Sequence, residues 1–128
     1  MMAQSIPDPV GQQCEWLHTH LVDDILPHWL SNAVTDNGAC LPQFDRQWRP
    51  AGTRFATVVS QMRLTYNFAC GYRVTGDQRY LDAVTRGMAF ALTHLRDTVH
   101  GGWHWAVDPT GDTINSAKSC YGHAFALF

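Results

Sequence analysis

Apolar residues recur at helical spacing along four stretches of this chain, with glycine-containing or polar loops between them. The first stretch runs from about Val10 to Leu30, with Cys14, Leu17, Leu21, Ile25 and Trp29 on one face. Pro27 falls in its last turn and predicts a kink or an end there. The second runs from about Arg54 to Val74. The third begins after Thr75-Gly76-Asp77, a helix stop followed by a cap, and continues to about Arg96. A fourth helix starts near Ser116.

Two kinds of helix alternate. In the third, Leu81, Val84, Met88, Ala91 and Leu95 form a stripe while Arg79, Asp82, Arg86 and Thr93 face away, as in an amphipathic surface helix. The second carries apolar residues on nearly every face, from Phe55 through Met62 and Phe68 to Val74, which predicts a buried helix. The fourth opens the same way with Tyr121, Ala124, Phe125, Leu127 and Phe128. An outer helix thus alternates with an inner one. A weak repeat supports the alternation: Gly38 to Asp45 and Gly101 to Asp108 each run from a helix-ending glycine to an aspartate, offset by 63 residues at both ends. That period exceeds the common short helical repeats and suits helical hairpins arranged in a ring. Two such hairpins cannot close a ring.

With 128 residues, 45% of them apolar and 12% aromatic, the chain is one domain at most and can bury a core. A net charge of -2 and scattered Lys and Arg leave no electrostatic footprint for nucleic acid or an anionic membrane. Met1 to Gly11 is polar and proline-containing, without a basic or apolar signal region, and no apolar run reaches the roughly 20 residues of a spanning helix. A cytoplasmic protein is expected. Cys14, Cys40, Cys70 and Cys120 never form C-x-x-C and read as buried or free thiols rather than two disulfides. The final run, Tyr121 to Phe128, stops when an inner helix has barely begun, which predicts a truncated chain. Such a fragment is expected to expose apolar inner faces, to associate, and to be inactive by itself.

Arg63 is the sharpest single signal. It stands in the middle of the most apolar helix, and a guanidinium cannot escape burial by losing its proton. It either pairs with a carboxylate from outside this chain or turns its donor fork to a polar cavity holding an oxygen-rich ligand. Tyr121 and His123 open the other inner helix, at the mouth of the ring where a ligand would sit. They read equally as a packing tyrosine and a backbone-capped histidine. Trp103 and Trp105 lie beside the Gly101-Gly102 turn, either as platforms for the apolar face of a sugar or as a cover for the core's end. Trp48 is a weaker candidate of the same kind. His18 and His20 point apart on their helix, and His94, His100 and His104 have no Cys or carboxylate at a zinc spacing, so no metal site is predicted. There is no G-x-G-x-x-G, P-loop or G-x-S-x-G, which argues against nucleotide and simple hydrolase chemistry.

At these residues the sequence resembles the N-acylglucosamine 2-epimerase superfamily, which includes cellobiose 2-epimerases, mannose isomerases and aldose–ketose isomerases. The resemblance is carried by Gln61-Met-Arg63 with Tyr66 and Phe68, Gly71-Tyr-Arg-Val-Thr-Gly-Asp77, Tyr80-Leu81 and Leu95-Arg-Asp97. It continues through His100-Gly-Gly-Trp103-His-Trp105-Ala-Val-Asp108 and Lys118-x-x-Tyr121-Gly-His123-Ala-Phe125. It implies an all-α fold, the N-terminal two helical hairpins of an (α/α)6 toroid, with residues 1–128 forming part of a single such domain. Arg63 then corresponds to the active-site arginine that contacts sugar oxygens near the reacting carbonyl, and Tyr121 to a substrate-contacting tyrosine. Trp103 and His123 match positions lining or supporting that end of the barrel. The two histidines that shuttle the proton come from later inner helices. Val59 departs from the pattern, since many relatives carry a tryptophan there. Loop 38–50 is only loosely similar, which leaves Asp45 and Trp48 without a carried-over role.

The implied chemistry is proton abstraction beside a sugar's carbonyl through an enediol(ate), giving a 2-epimer or a ketose, with no cofactor. The expected partner is a monosaccharide or disaccharide substrate, with no nucleic acid or membrane and with a homodimer left open. One alternative is an (α/α)6 glycoside hydrolase, which needs two opposed carboxylates about 5–10 Å apart. Neither inner helix contains Asp or Glu. The other alternative is a non-catalytic helical fragment or interaction module.

Overall fold

The computed structural model describes residues 8–128, so the stretch read as lacking a signal sequence lies mostly outside the described residues. Asp8 caps α1 (Pro9–His20), its carboxylate accepting from the Gly11 N–H at 3.0 Å. A π-helical turn over Leu21–Ile25 carries α1 into α2 (Leu26–Ala33). Pro27 therefore does not end the helix. The Leu26 N–H reaches back five residues to the Leu21 carbonyl, and this change of register seats the proline in the first turn of α2, where no N–H is needed. The predicted apolar stripe is covered only at its far end. Leu17 and Leu21 stay exposed, and α1 has no buried residue, because no described element lies beside it.

The central helix is α3 (Val58–Thr75). It starts four residues later than its periodicity predicts, because Ala56–Thr57 form a short strand, β1, paired with β2 (Ala106–Val107). β3 (Thr113–Asn115) completes an antiparallel sheet in the order β1-β2-β3, with a register shift at Ala106 and Val107. Thr57 and Ser60 form a reciprocal capping box, each hydroxyl accepting the other's backbone N–H at 3.0 Å. Gly76 closes α3 in the left-handed region at φ 70°, and Asp77 caps α4 (Gln78–Phe90), accepting from the Arg79 N–H at 2.9 Å. A second π-helical turn, Ala91–Leu95, extends α4. Its buried seam is Tyr80, Ala83, Gly87 and Phe90, with Leu81, Val84 and Met88 half-buried beside it; Arg79, Asp82, Arg86 and Thr93 face water as expected. α5 (Cys120–Leu127) begins four residues after its predicted start, since β3 and an extended segment occupy the residues before the Ser119 cap.

Two apolar clusters hold α3 in place. Leu26, Ala33, Leu64, Phe68 and Tyr80 join it to α2 and α4, while Val58, Met62, Phe90, Leu95 and Val107 join it to the other side of α4 and to the sheet. Between them lies Gln61, with no exposed surface. Its Oε1 accepts from the Cys40 N–H at 2.8 Å, and its Nε2 donates to the carbonyls of Gly38 at 2.9 Å and Gly87 at 3.0 Å. One amide thus stitches α3 to the loop after α2 and to α4. Burial in the same spot pushes the Cys40 thiol up to about 12.

The 63-residue repeat is a repeat of hydrogen bonds. The Leu41 N–H returns to the Ala33 carbonyl, and the His104 N–H to the Leu95 carbonyl, one residue short of the full offset at the acceptor. Bonds from Asp45 to Arg49 and from Trp48 to Asp45 recur from Asp108 to Asp112 and from Gly111 to Asp108. Even the backbone strain recurs, since Trp48 takes φ 61° where the second unit has Gly111 at φ 105°.

Gly38 is the most constrained glycine of the first loop. It sits at φ 92°, and a Cβ there would collide with the Arg86 carbonyl oxygen. Gly38→Ala is expected to destabilise by about 3 kcal/mol, combining left-handed strain with a backbone shift on α4. Urea unfolding of the complete gene product measures this. A loss below about 1 kcal/mol would mean the loop re-routes freely.

Candidate functional site

The periodicity of α3 predicts burial all round, yet one face is open. Arg63, Tyr66, Asn67 and Val74 are exposed there, while Gln61, Leu64, Thr65 and Phe68 are buried behind them. α5 lies over part of that face, where the Tyr66 and Phe128 ring centroids are 4.9 Å apart. Arg63 makes no ion pair with any described residue; its guanidinium lies over the Phe125 ring, 5.5 Å from the centroid. Arg63 and Asn67, one turn apart, border two clefts. One, of about 360 Å³, is walled by Trp29, Pro42, Val59 and Leu64 with the polar Thr57 and Ser60 at its end. The other, of about 510 Å³, runs between α3 and α5, under Phe125 and Phe128.

Tyr121 reaches this region through Phe125. Its side chain is 59% exposed, and its ring meets Phe125 edge-on with centroids 5.0 Å apart. Phe125 therefore touches both Arg63 and Tyr121 and sets the space between them. His123 is placed differently. Its Nδ1 is 2.7 Å from the Ser119 carbonyl and its Nε2 accepts from the Trp103 N–H at 3.1 Å. Only the neutral Nδ1–H tautomer satisfies both bonds, so both ring nitrogens are engaged with backbone. Trp103 is half-buried against the core cluster of α4 and the sheet. His123 and Trp103 thus form a strap beside Tyr121.

That strap has a second anchor. Asp97 is only 7% exposed, and its carboxylate accepts from the backbone N–H of His100 at 2.9 Å and of Val99 at 3.0 Å, and from Lys118 Nζ at 2.6 Å. The His100 N–H, then the Lys118 ammonium, hold this carboxyl well below the usual carboxylate range, so it stays ionised at neutral pH.

The sequence pattern does not single out two further site residues. Asn67 stands between Tyr66 and Phe68, and a polar residue four positions after Arg63 in an apolar helix marks the same face. Trp29 falls on the apolar stripe that the periodicity predicts for the first helix. It lies edge-on to both Phe44 and Trp48 and turns into the cleft beside Val59. Trp48 instead packs against His28, Trp29 and Phe44.

A family model described as N-acylglucosamine 2-epimerase (GlcNAc 2-epimerase) matches residues 38–128, which include every one of these residues except His28 and Trp29. The chain belongs to the N-acylglucosamine 2-epimerase family. A cellobiose 2-epimerase of Bacteroides fragilis is 22% identical over 113 residues, covering 88% of this chain and 29% of that protein. The structure of a cellobiose 2-epimerase from Spirochaeta thermophila superposes with a TM-score of 0.80 at 25% identity, over 95% of this chain and 31% of that one. A D-mannose isomerase structure superposes with a TM-score of 0.77 at 21% identity, over 96% of this chain and 30% of its own, and shows the shared fold. The chain thus spans about 30% of the length of these relatives, as two helical hairpins of their (α/α)6 toroid. The members matched in this epimerase family are carbohydrate epimerases and isomerases. Among the described residues, no helix is long and apolar enough to cross a membrane.

Proposed function

We propose that these residues form the substrate-holding wall of a carbohydrate isomerase or epimerase that moves a proton beside the sugar carbonyl through an enediol(ate). The observation that supports this reading best is Arg63, a guanidinium with no ion pair among the described residues, on the open face of an otherwise apolar helix and bordering both clefts. A fixed cation there stabilises negative charge as it develops on the carbonyl oxygen, and preorganised electrostatics of this kind is commonly the largest catalytic contribution. Tyr121 contacts the sugar from the far side of the Phe125 ring, and Trp103 and His123 support it. Trp29 stacks on the sugar's apolar face, taking the part that Val59 cannot. Asn67 adds a hydrogen-bonding amide one turn from Arg63. The proton-shuttling histidines that the resemblance implies have no counterpart here. Their contribution, about 10²–10⁴-fold for general acid and base groups, comes from outside these residues.

In deuterated water the complete gene product, given mannose, N-acetylmannosamine or cellobiose, is expected to place deuterium at C2 or C1 of at least one sugar, read by NMR. Turnover to isomers without deuterium, or no turnover of any of them, would count heavily against an enediol route.

A further inference from the structure

We propose that the Asp97–Lys118 ion pair positions Tyr121 and Trp103 relative to each other, by locking the segment that feeds α5 onto the loop that carries Trp103. This rests on the reading of Tyr121 as a sugar contact. Neither partner touches that site, so both are positioning residues.

Backbone pairing closes the base of the loop, through the His104 N–H to the Leu95 carbonyl and a bridge between Arg96 and Trp103, but its tip depends on further ties. Gly101 and Gly102 both take positive φ, at 76° and 74°, a conformation in which glycine restrains the backbone little. Asp97 adds a constraint at the tip by gathering the loop around one carboxylate. Two backbone N–H groups bind its Oδ1, and its own N–H donates to the Gly102 carbonyl at 2.9 Å. The remaining oxygen is spent on Lys118, three residues before Tyr121. His100, 80% exposed with Nδ1 3.5 Å from that oxygen, is the one other charged or titratable group recorded against the carboxylate among the described residues. A nearly buried carboxylate left without its cation is costly, so the pair has a strong preference for the closed arrangement. His123 then repeats the connection one turn further on, by accepting the Trp103 N–H. Two side-chain ties between the same two segments fix both the distance and the rotation of the start of α5. That rotation decides where Tyr121 points, since its exposed side chain has Phe125 as its ring neighbour.

The test uses the complete gene product, with Lys118→Met, Lys118→Arg, Tyr121→Phe and the double variant Lys118→Met/Tyr121→Phe. Lys118→Met is expected to speed hydrogen exchange at the Trp103 and His123 amides about tenfold while leaving the Phe68 amide of α3 unchanged. It is expected to lower kcat/KM about tenfold, mostly in kcat, through misplacement of a contact group. Lys118→Arg restores both. In the Tyr121→Phe background the Lys118→Met penalty shrinks to less than about threefold, because the group being positioned is already gone. Should Lys118→Met not fold, Asp97→Asn keeps the Oδ1 acceptor and removes the ion pair, with the same expectations. Unchanged exchange at Trp103 and His123 overturns the proposal, as does a kinetic penalty of full size in the Tyr121→Phe background. Normal turnover of Tyr121→Phe alone overturns the sugar-site reading instead, while exchange still decides whether the tie exists.

Discussion

Arg63→Ala in the complete gene product is expected to lower kcat by about 10²–10³-fold, or about 2.7–4 kcal/mol of transition-state stabilisation, the range seen when one preorganised donor to an oxyanion is removed. The fold should survive. Arg63 is exposed, makes no ion pair with a described residue, and its one aromatic contact, with Phe125, is of a kind worth about 0.5–1 kcal/mol at exposed sites. The thermal midpoint should therefore move little, and the ratio of the two effects separates catalysis from packing. Arg63→Lys should recover only part of the rate, since an ammonium keeps the charge but loses the planar fork that can grip two sugar oxygens. Steady-state kinetics on the sugar that turns over best, with a thermal melt of each variant, measures both. Near-normal turnover of Arg63→Ala would make this arginine structural and remove the main support for the proposed site.

The helices were legible where their ends carry local chemistry. Thr75-Gly76-Asp77 announces a left-handed stop and a side-chain cap, and Gly76 and Asp77 play those parts. The 63-residue offset was legible because glycine and aspartate recur at the turns whose hydrogen bonds repeat. Other features were hidden because they depend on partners distant in sequence. Ala56 pairs with Val107, so the start of α3 is decided by a strand that helical periodicity cannot detect. Ser116 is a sound cap by composition, yet Ser119 caps α5, because Lys118 is pulled to Asp97 and the chain stays extended until then. Of the candidate site, the type of Arg63 and its apolar surroundings singled it out. Its openness did not follow from the pattern, because periodicity reports which faces are apolar and not what lies against them. For His123 the sequence leaves a ligand contact and a backbone-capped ring as alternatives, and its hydrogen bonds agree with the second, since both nitrogens are engaged with backbone.

Gln61 is a structural residue whose role no local pattern reveals, because its three bonding partners are distant in sequence. Gln61→Leu is expected to destabilise the protein by about 3–5 kcal/mol, because the side chain's volume is kept while its hydrogen bonds go. The Cys40 N–H and the Gly38 carbonyl would be left buried without a comparable partner, at about 1–3 kcal/mol each. The Gly87 carbonyl loses less, since it also accepts the Ala91 N–H within its helix. Separation of the loop from α3 and α4 would add to the loss. Gln61→Glu distinguishes lost donors from lost shape. An ionised glutamate can still accept from Cys40 but cannot donate to either carbonyl, and it would be a buried charge. Burial raises its folded pKa above the unfolded value of about 4.3, so its protonated form is favoured on folding. The stability of this variant, relative to the unsubstituted protein at each pH, should be best near pH 4 and fall as pH rises through the folded pKa. Denaturant midpoints at pH 4, 6 and 8 with unchanged slope would record this. A penalty that is the same at all three pH values would mean that water, and not a proton, had replaced the missing donor.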